Sequence, residues 1–428
     1  MIPTLAGAGS ATTDLTAADL RRIVRDAVRV LPPRARVLAV IPDKTRDDNT
    51  DILFPIVSQE LAALGASRLD ALVAQGTHAP MTDAEKRLKI GAGAADLPLV
   101  GELYDHHWDR ASELMTLGTL TSSEVSSLSG GIMDREVPVQ LNARLAPGNY
   151  DYVFVLGATV PHEVAGFAGG AKYFFPGVAG PELTHLTHWL GALATIEHVI
   201  GRIETPTRRV IEAAADRVPA PVIAFTSVST RTNAGLRTHG LFAGDCRETV
   251  RSAAAISSQV HVRYTGRRYP RVVALLDEHY DELWVGGKAS YKLGGIIEDG
   301  GELVIYAPHL TGISTTHGRL IEKYGYAPLE QVREMVEDSD ELKANLAVAA
   351  HLAHVSYAGR VTAEGRVEPR YRITLASAVS EEVCRRVRLA FTRCDAVDIE
   401  AARRDPDTLV VEHAGRDLYL VAPERSSA

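Results

Sequence analysis

Cysteine is scarce. The 428-residue chain has three, Cys246, Cys384 and Cys394, set far apart and with no Cys-x-x-Cys pair. That spacing offers neither a zinc ribbon nor a disulfide framework. Long apolar runs are also missing: no stretch reaches the roughly 18 apolar residues that a membrane span requires. The opening residues, MIPTLAGAGSATTDLTAADLRR, lack the basic and apolar regions of a secretory signal. A soluble, cytoplasmic protein with no membrane partner is expected. Dense Lys/Arg runs are absent as well, and the formal net charge is -8. Nothing here could neutralise a phosphate backbone, so nucleic acid is not an expected partner. What is present is the ordinary globular mixture, 46% hydrophobic and 23% charged, which argues against disordered and fibrous classes.

The chain is too long for one ordinary core, and its pattern alternates strands with helices. Residues 15–31 have helical periodicity with Thr13 or Asp14 placed to cap them, and the helix ends before Pro32-Pro33. Val37–Pro42 is a short apolar run of buried-strand type, followed by the loop 44–49. Residues 52–64 are helical up to Gly65, and Leu69–Ala74 is the next strand. Thr82 and Glu85 form a capping box at the start of a further helix. Farther on, 272–276, 282–285, 302–306 and 409–411 are expected as strands, and 329–336 and 341–353 as helices. This alternation predicts an α/β protein of two domains, residues 1–265 and 266–428. Each has a mostly parallel sheet flanked by helices, with the active site in the interdomain cleft. The polar break Gly266–Pro270 marks the boundary. No motif is legible beyond about Ala376.

The most unusual segment runs from Pro161 to Gly177, PHEVAGFAGGAKYFFPG, directly after the apolar strand 152–156. Its glycines, Gly169 and Gly170 among them, allow a backbone to approach a ligand and expose amide donors. A Walker A loop would need Gly before the lysine and Ser or Thr after it, where this chain has Ala171 and Tyr173. Gly91-Ala92-Gly93 lies near a helix end, so a dinucleotide fingerprint fails too. What remains is Lys172 in a glycine-rich loop, able to pair with phosphate, to join a cofactor covalently, or simply to sit solvated. His162 precedes it and His188 follows it. His185 and His188 share a helix face as metal ligands can, or as one surface and one core residue would.

Asp105-His106-His107-Trp108-Asp109 is a second cluster. Imidazole suits acid–base work at a carbon-bound hydroxyl, though a polar loop with one structural histidine has the same spacing. Adjacent histidines point apart, so at most one reaches a given substrate. A bimetallic phosphoesterase would need a second carboxylate cluster, which is not seen. After the first strand, Asp43-Lys44-Thr45-Arg46 has the makings of a phosphate-contact loop in which Asp43 fixes Arg46. Gly76-Thr77-His78, after the next strand, is expected at the same sheet edge.

Taken in order, Asp43-x-Thr45-Arg46, Gly76-Thr77-His78, His106, Pro161–Gly177 and His188 resemble the lactate racemase family that carries the nickel-pincer nucleotide. The likeness continues more weakly through Gly286-Gly287-Lys288-Ala289 and Asp299-Gly300-Gly301. The resemblance implies a pyridinium nucleotide with two thio-acid arms, one attached to Lys172, and nickel held with His188 as its protein ligand. Asp43, Thr45, Arg46, Gly76, Thr77, His78, Gly169 and Gly170 become cofactor contacts. His162 and His106 (with His107 left open as the alternative) become the acid–base pair, and Lys288 with Trp284 the substrate contacts. The implied reaction inverts the C2 carbinol of a 2-hydroxy acid. Hydride leaves carbon while a histidine takes the hydroxyl proton, and either face then regains hydride.

Two departures stand out. The family's lactate enzymes carry arginine where this chain has Ala79, and a Tyr-Gln pair where it has Trp284-Val285. The expected substrate is therefore not lactate but a bulkier or more hydroxylated acid, such as an aldonic acid. The other partners implied are cofactor-synthesis proteins, with the chain a monomer or small homo-oligomer. The alternatives are an oxidoreductase using the same nucleotide, or a metal-dependent hydrolase.

Overall fold

A computed structural model describes residues 6–93, 97–232 and 235–422. The chain divides into two compact units: Met1–Thr187 with Gly201–Val260, and His188–Ile200 with His261–Ala428. Among the described residues no helix is long and apolar enough to cross a membrane.

The first unit is built on seven strands: β1 (Ala6–Gly9), β2 (Arg36–Pro42), β3 (Arg68–Ala74), β4 (Val100–Tyr104), β5 (Tyr152–Ala158), β6 (Val222–Thr232) and β7 (Gly235–Gly244). Their order across the sheet is β1-β7-β6-β5-β2-β3-β4. The pairs β6–β5, β5–β2, β2–β3 and β3–β4 are parallel; β7 runs antiparallel to both β6 and β1. From β2 the chain steps outward to β3 and β4, then returns to β5 on the other side and steps to β6. The carboxyl ends of β2 and β5 therefore flank a topological switch point, where parallel α/β sheets open a crevice for ligands.

Helices α1 (Ala17–Val28), α2 (Thr50–Leu64) and α3 (Asp83–Lys89) belong to this unit. Apolar side chains at helical spacing, Leu20, Ile23, Val24 and Ala27 of α1 with Phe54, Val57 and Leu61 of α2, join Val37, Ile41, Phe154 and Phe225 in one buried cluster. Each fully buried side chain of this size contributes about 1.5–3 kcal/mol. The expected capping box at Thr82 and Glu85 is present. The start of α1 differs from expectation. Leu15 donates its amide to Thr238 of β7, so the chain stays extended to Thr16, which caps the helix with Asp19.

In the second unit, β8 (Tyr269–Leu275), β9 (Ile297–Ala307), β10 (Arg372–Ser377), β11 (Ala390–Thr392) and β12 (Thr408–Val411) form a sheet ordered β11-β10-β9-β8-β12. All four pairings are parallel. Here too the order reverses, between β8 and β12. Residues 282–285, expected as a strand, form a helical turn, Leu283–Gly286. Leu283 and Trp284 donate their amides to Gly312 and Ile313, and Gly286-Gly287 follows at once. A four-residue apolar run does not distinguish strand from buried helix by period, and tertiary pairing decided it. The helix expected over 341–353 is divided into Asp340–Lys343 and Leu346–Ser356 at Ala344-Asn345. Every residue of the latter is buried, as a helix apolar all round requires.

Candidate active site

The loops after β2 and β3 meet. Asp43, 3% exposed, accepts from the Thr45 amide at 2.8 Å and the Thr45 hydroxyl at 2.6 Å, and its other oxygen lies 2.7 Å from His78 Nδ1. Burial pushes this carboxyl up, but the His78 charge and hydrogen bond, then Arg46 and Thr45, outweigh it and hold Asp43 well below the usual carboxylate range. Convergence of the two loops was expected; the partner was not. Asp43 fixes Thr45 and His78, and its hydrogen bond with Arg46 is the Arg46 amide donating to the Asp43 carbonyl at 3.3 Å. The Gly76 amide donates to the Gly177 carbonyl at 2.9 Å, tying the β3 loop to the end of the glycine-rich segment.

That segment follows β5. Residues 161–162 pair with 166–167 in a short antiparallel hairpin, and residues 170–173 form a single 3-10 turn. Gly170 has φ +58, and a Cβ there would lie 2.6 Å from Val250 and 2.7 Å from the Cys246 carbonyl oxygen. Packing against the helix Cys246–Val260 thus already demands glycine at this position. Lys172 is partly buried, and no residue among those described accepts a hydrogen bond from its amine. Burial foremost, then the cations Arg46 and Arg208, against opposition from Glu163 and Asp43, pull its amine down to about 7. A sizeable fraction is therefore the unprotonated, nucleophilic amine at neutral pH.

The two histidines expected to do acid–base work both lie in the first unit. His106 is 1% exposed, with Nε2 2.9 Å from the Ala179 carbonyl and Nδ1 3.1 Å from the Asn142 amide nitrogen. A carbonyl can only accept and an amide nitrogen can only donate, so His106 carries its proton on Nε2 and presents a lone pair at Nδ1. Burial pushes it down to about 4, and it is neutral at pH 7. His162, 7% exposed, accepts the Val164 amide at Nδ1, 3.1 Å away, which leaves the proton of its neutral form on Nε2. Both neutral rings thus carry the proton on Nε2 and accept an amide at Nδ1, His106 from the Asn142 side chain and His162 from the Val164 backbone. His107 pairs instead with Glu113 at 2.8 Å. His185 lies edge-on to Trp108, 5.9 Å between ring centroids.

His188, Trp284 and Lys288 belong to the second unit. His188 is within electrostatic range of His351. Trp284 packs against the rings of His317 and His351, with centroids 4.3 and 4.2 Å away. His351 is held by the Tyr291 hydroxyl at 2.7 Å and the Tyr326 hydroxyl at 3.4 Å, and its deep burial keeps it neutral. Lys288 lies after the carboxyl end of β8, its ammonium 5.7 Å from the centre of the Tyr280 ring. Among the described residues no three His, Cys, Asp or Glu side chains gather as a metal site.

Several site residues escaped the sequence reading. Gln75, 2% exposed, and Thr159, 0% exposed, directly follow β3 and β5, with side-chain polar atoms that find no hydrogen-bond partner among the described residues. Gln75 adjoins Gly76-Thr77-His78 and Thr159 adjoins Pro161-His162, so position beside a motif was the available signal. Asn142, Arg208, His317 and His351 had none, because their roles come from elements distant in sequence.

Residues 24–199 match the family described as the lactate racemase N-terminal domain. A crystal structure of a Thermotoga maritima protein, a structural-genomics target, is 30% identical and covers 95% of this chain and 98% of its own, with a TM-score of 0.87. The lactate racemase apoprotein from Thermoanaerobacterium thermosaccharolyticum is 16% identical, covers 97% of this chain and 100% of its own, and has a TM-score of 0.69. At that identity the likeness is one of fold. No curated protein sequence matches significantly.

Proposed function

Because this chain belongs to the lactate racemase family, we propose that it is a racemase or epimerase that inverts the C2 carbinol of a 2-hydroxy acid with a nickel-pincer nucleotide joined to Lys172. The observation that carries this reading is the state of that lysine. It sits in the 3-10 turn at the switch point of a mostly parallel sheet and finds no acceptor for its protons among the described residues, and burial draws its amine down to about 7. A lysine there to grip phosphate would be better served by a full charge; one that forms a covalent bond is better served by a free pair.

The residues present fit the group. Thr45, Arg46, Gly76, Thr77 and His78 offer donors and a cation to a nucleotide phosphate, with Asp43 holding Thr45 and His78 in place. The unsatisfied polar atoms of Gln75 and Thr159 suit a polar ligand. His188 would give nickel its protein nitrogen, and the bound group would bring the other donors. When bound, the group supplies the two-electron acceptor that no side chain can be.

The chain's own residues do the rest. His106 takes the hydroxyl proton at Nδ1, exchanging the Asn142 amide for the substrate while the bond from Nε2 to Ala179 keeps the ring oriented. His162, when protonated to the imidazolium, returns one proton to the substrate oxygen and is left neutral, which leaves the pair set for the opposite enantiomer. Lys288 neutralises the carboxylate, and Trp284, braced by two imidazoles, bounds the substrate's far end. With Ala79 exposed where the family's lactate enzymes have arginine, the substrate is larger or more hydroxylated than lactate.

The test is intact-protein mass after co-expression with the cofactor-synthesis proteins. A gain of a few hundred daltons with bound nickel, both lost in Lys172→Ala, is the expected result. Unmodified protein from cells that load a known family member would overturn it. Racemisation of a deuterium-labelled substrate without net redox change separates the isomerase from an oxidoreductase. In a competition among hydroxy acids, lactate is expected to be outrun by longer ones; lactate turned over fastest would refute the substrate assignment.

A further inference from the structure

Arg208 lies in the helix Pro206–Ala215, is 2% exposed, and spends its guanidinium on the glycine-rich segment. Its Nε donates to the Ala165 carbonyl at 3.3 Å and its Nη2 to the Phe167 carbonyl, while Nη1 lies 3.6 Å from Glu212 one turn on. Thr205 caps the helix by accepting the Arg208 amide, so the side chain starts from a fixed backbone. Between the two clamped carbonyls sits Gly166, at φ +79, where a Cβ would overlap the Arg202 carbonyl oxygen. The Gly201 amide bonds the Gly166 carbonyl at 2.8 Å. The hairpin is thus closed from both sides by residues some forty positions later in the chain, and Lys172 lies five residues beyond Phe167.

A planar fork reaching two carbonyls is a task for arginine and not for lysine. Burying that charge is costly unless it is used, and the partial charges of two carbonyls with one carboxylate only partly offset it. We propose that Arg208 is the positioning residue of Lys172, locking the segment that carries the lysine and setting a permanent cation beside it. This inference rests on Lys172 being the attachment point, and gives the assignment a cause. A second positive charge is disfavoured next to a first, so the lysine keeps its electron pair. The groups facing Lys172 are Arg46 and Asp43 from the β2 loop, Glu163 from its own segment and Arg208 from the helix. The thiol of Cys246, a partly buried residue of the helix packed against the same turn, is driven up to about 12 by desolvation and stays protonated.

The experiment reads the amine directly in the apoprotein. Lysine labelled with ¹³C at Cε is incorporated, the Lys172 resonance is identified by its loss in Lys172→Met, and its midpoint is followed with pH. The wild-type midpoint is expected near 7. Arg208→Gln, which removes the charge, is expected to raise it by about one pH unit, the scale of one nearby like charge. Arg208→Lys keeps the charge and loses the fork. Its midpoint is expected to stay within about half a unit of wild type, while cofactor loading measured by mass falls several-fold. If Arg208→Gln does not fold, Glu212→Gln takes its place: it strips the counter-charge from Arg208 and is expected to lower the midpoint. A Lys172 midpoint that is unmoved in a folded charge variant, or that lies near the ordinary lysine value in wild type, overturns the proposal. Failure of Lys172 to acquire cofactor despite the expected titration would count against the functional reading alone, so the two fail separately.

Discussion

At the scale of single residues, protonation carries most of the chemistry. His106 is held neutral by burial. Its replacement by Gln keeps a donor and an acceptor but cannot exchange a proton, and is expected to lower kcat by 10²–10⁴-fold, the range of general acid–base catalysis. His107→Gln, which breaks the bond to Glu113, is expected to leave kcat within about threefold, since a surface pair of that kind is worth only ~0.2–1 kcal/mol. Steady-state rates of the two variants settle which histidine acts, and the reverse ranking would assign the role to His107. Asp43 gives a prediction in stability. Its folded carboxyl titrates below its unfolded value of about 3.9, so its contribution is fully present above that pH and is lost as pH falls through the folded value. Asp43→Asn is therefore expected to lower the urea midpoint at pH 7 and to differ less from wild type as the pH drops below 4. A gap that widens in acid would reverse the sign and remove Asp43 as an anchoring anion.

Elements determine how closely these groups can be held. The 3-10 turn that carries Lys172 packs on the helix Cys246–Val260 through Gly170. In Gly170→Ala the new methyl would stand 2.6 Å from Val250 and 2.7 Å from the Cys246 carbonyl, on a backbone at φ +58. Overpacking of this kind costs typically 1–3 kcal/mol. A clear drop in Tm is expected, with a larger loss in cofactor loading than the drop in stability explains. An unchanged Tm would show that the helix yields. The capping boxes at Thr82–Glu85 and Thr121–Glu124 could be read from sequence because the pattern is local, and Thr82–Glu85 was. The cap of α1, expected at Thr13 or Asp14, falls instead at Thr16 because β7 holds Leu15 extended, and no local pattern contains β7.

For the whole molecule, two mostly parallel sheets each place an order reversal beside the expected chemistry: β2 and β5 beside Asp43, His162 and Lys172, and β8 and β12 before Lys288. On the proposed reading, nickel by itself would have His188 as its protein ligand and the nucleotide would bring the rest. Adding nickel salt to the apoprotein is expected to shift Tm by less than about 1 °C, because a weak site gives little linkage. Loading with the nucleotide is expected to raise it by several degrees. A large shift with bare nickel would reveal a preformed metal site and argue against a metal carried by the nucleotide.

Much was settled by sequence alone. The strand–loop–helix rhythm specified parallel α/β layers, since burial on both faces leaves apolar runs and short polar loops. The segment 161–177 announced itself because glycine, histidine and lysine at that density have no use in a plain core. Tertiary structure decided what periodicity cannot express. It turned 282–285 into a helical turn through amides paired to the loop 312–313, and gave Asp43 to His78 rather than to the Arg46 side chain. It set the proton positions of His106 and His162, both on Nε2, through Ala179, Asn142 and Val164. It also brought Arg208 to two carbonyls some forty residues earlier. The physical reason is the same in each case. Local pattern records which face of an element is buried, whereas a pKa, a tautomer or a clamp depends on what the fold carries in from far along the chain.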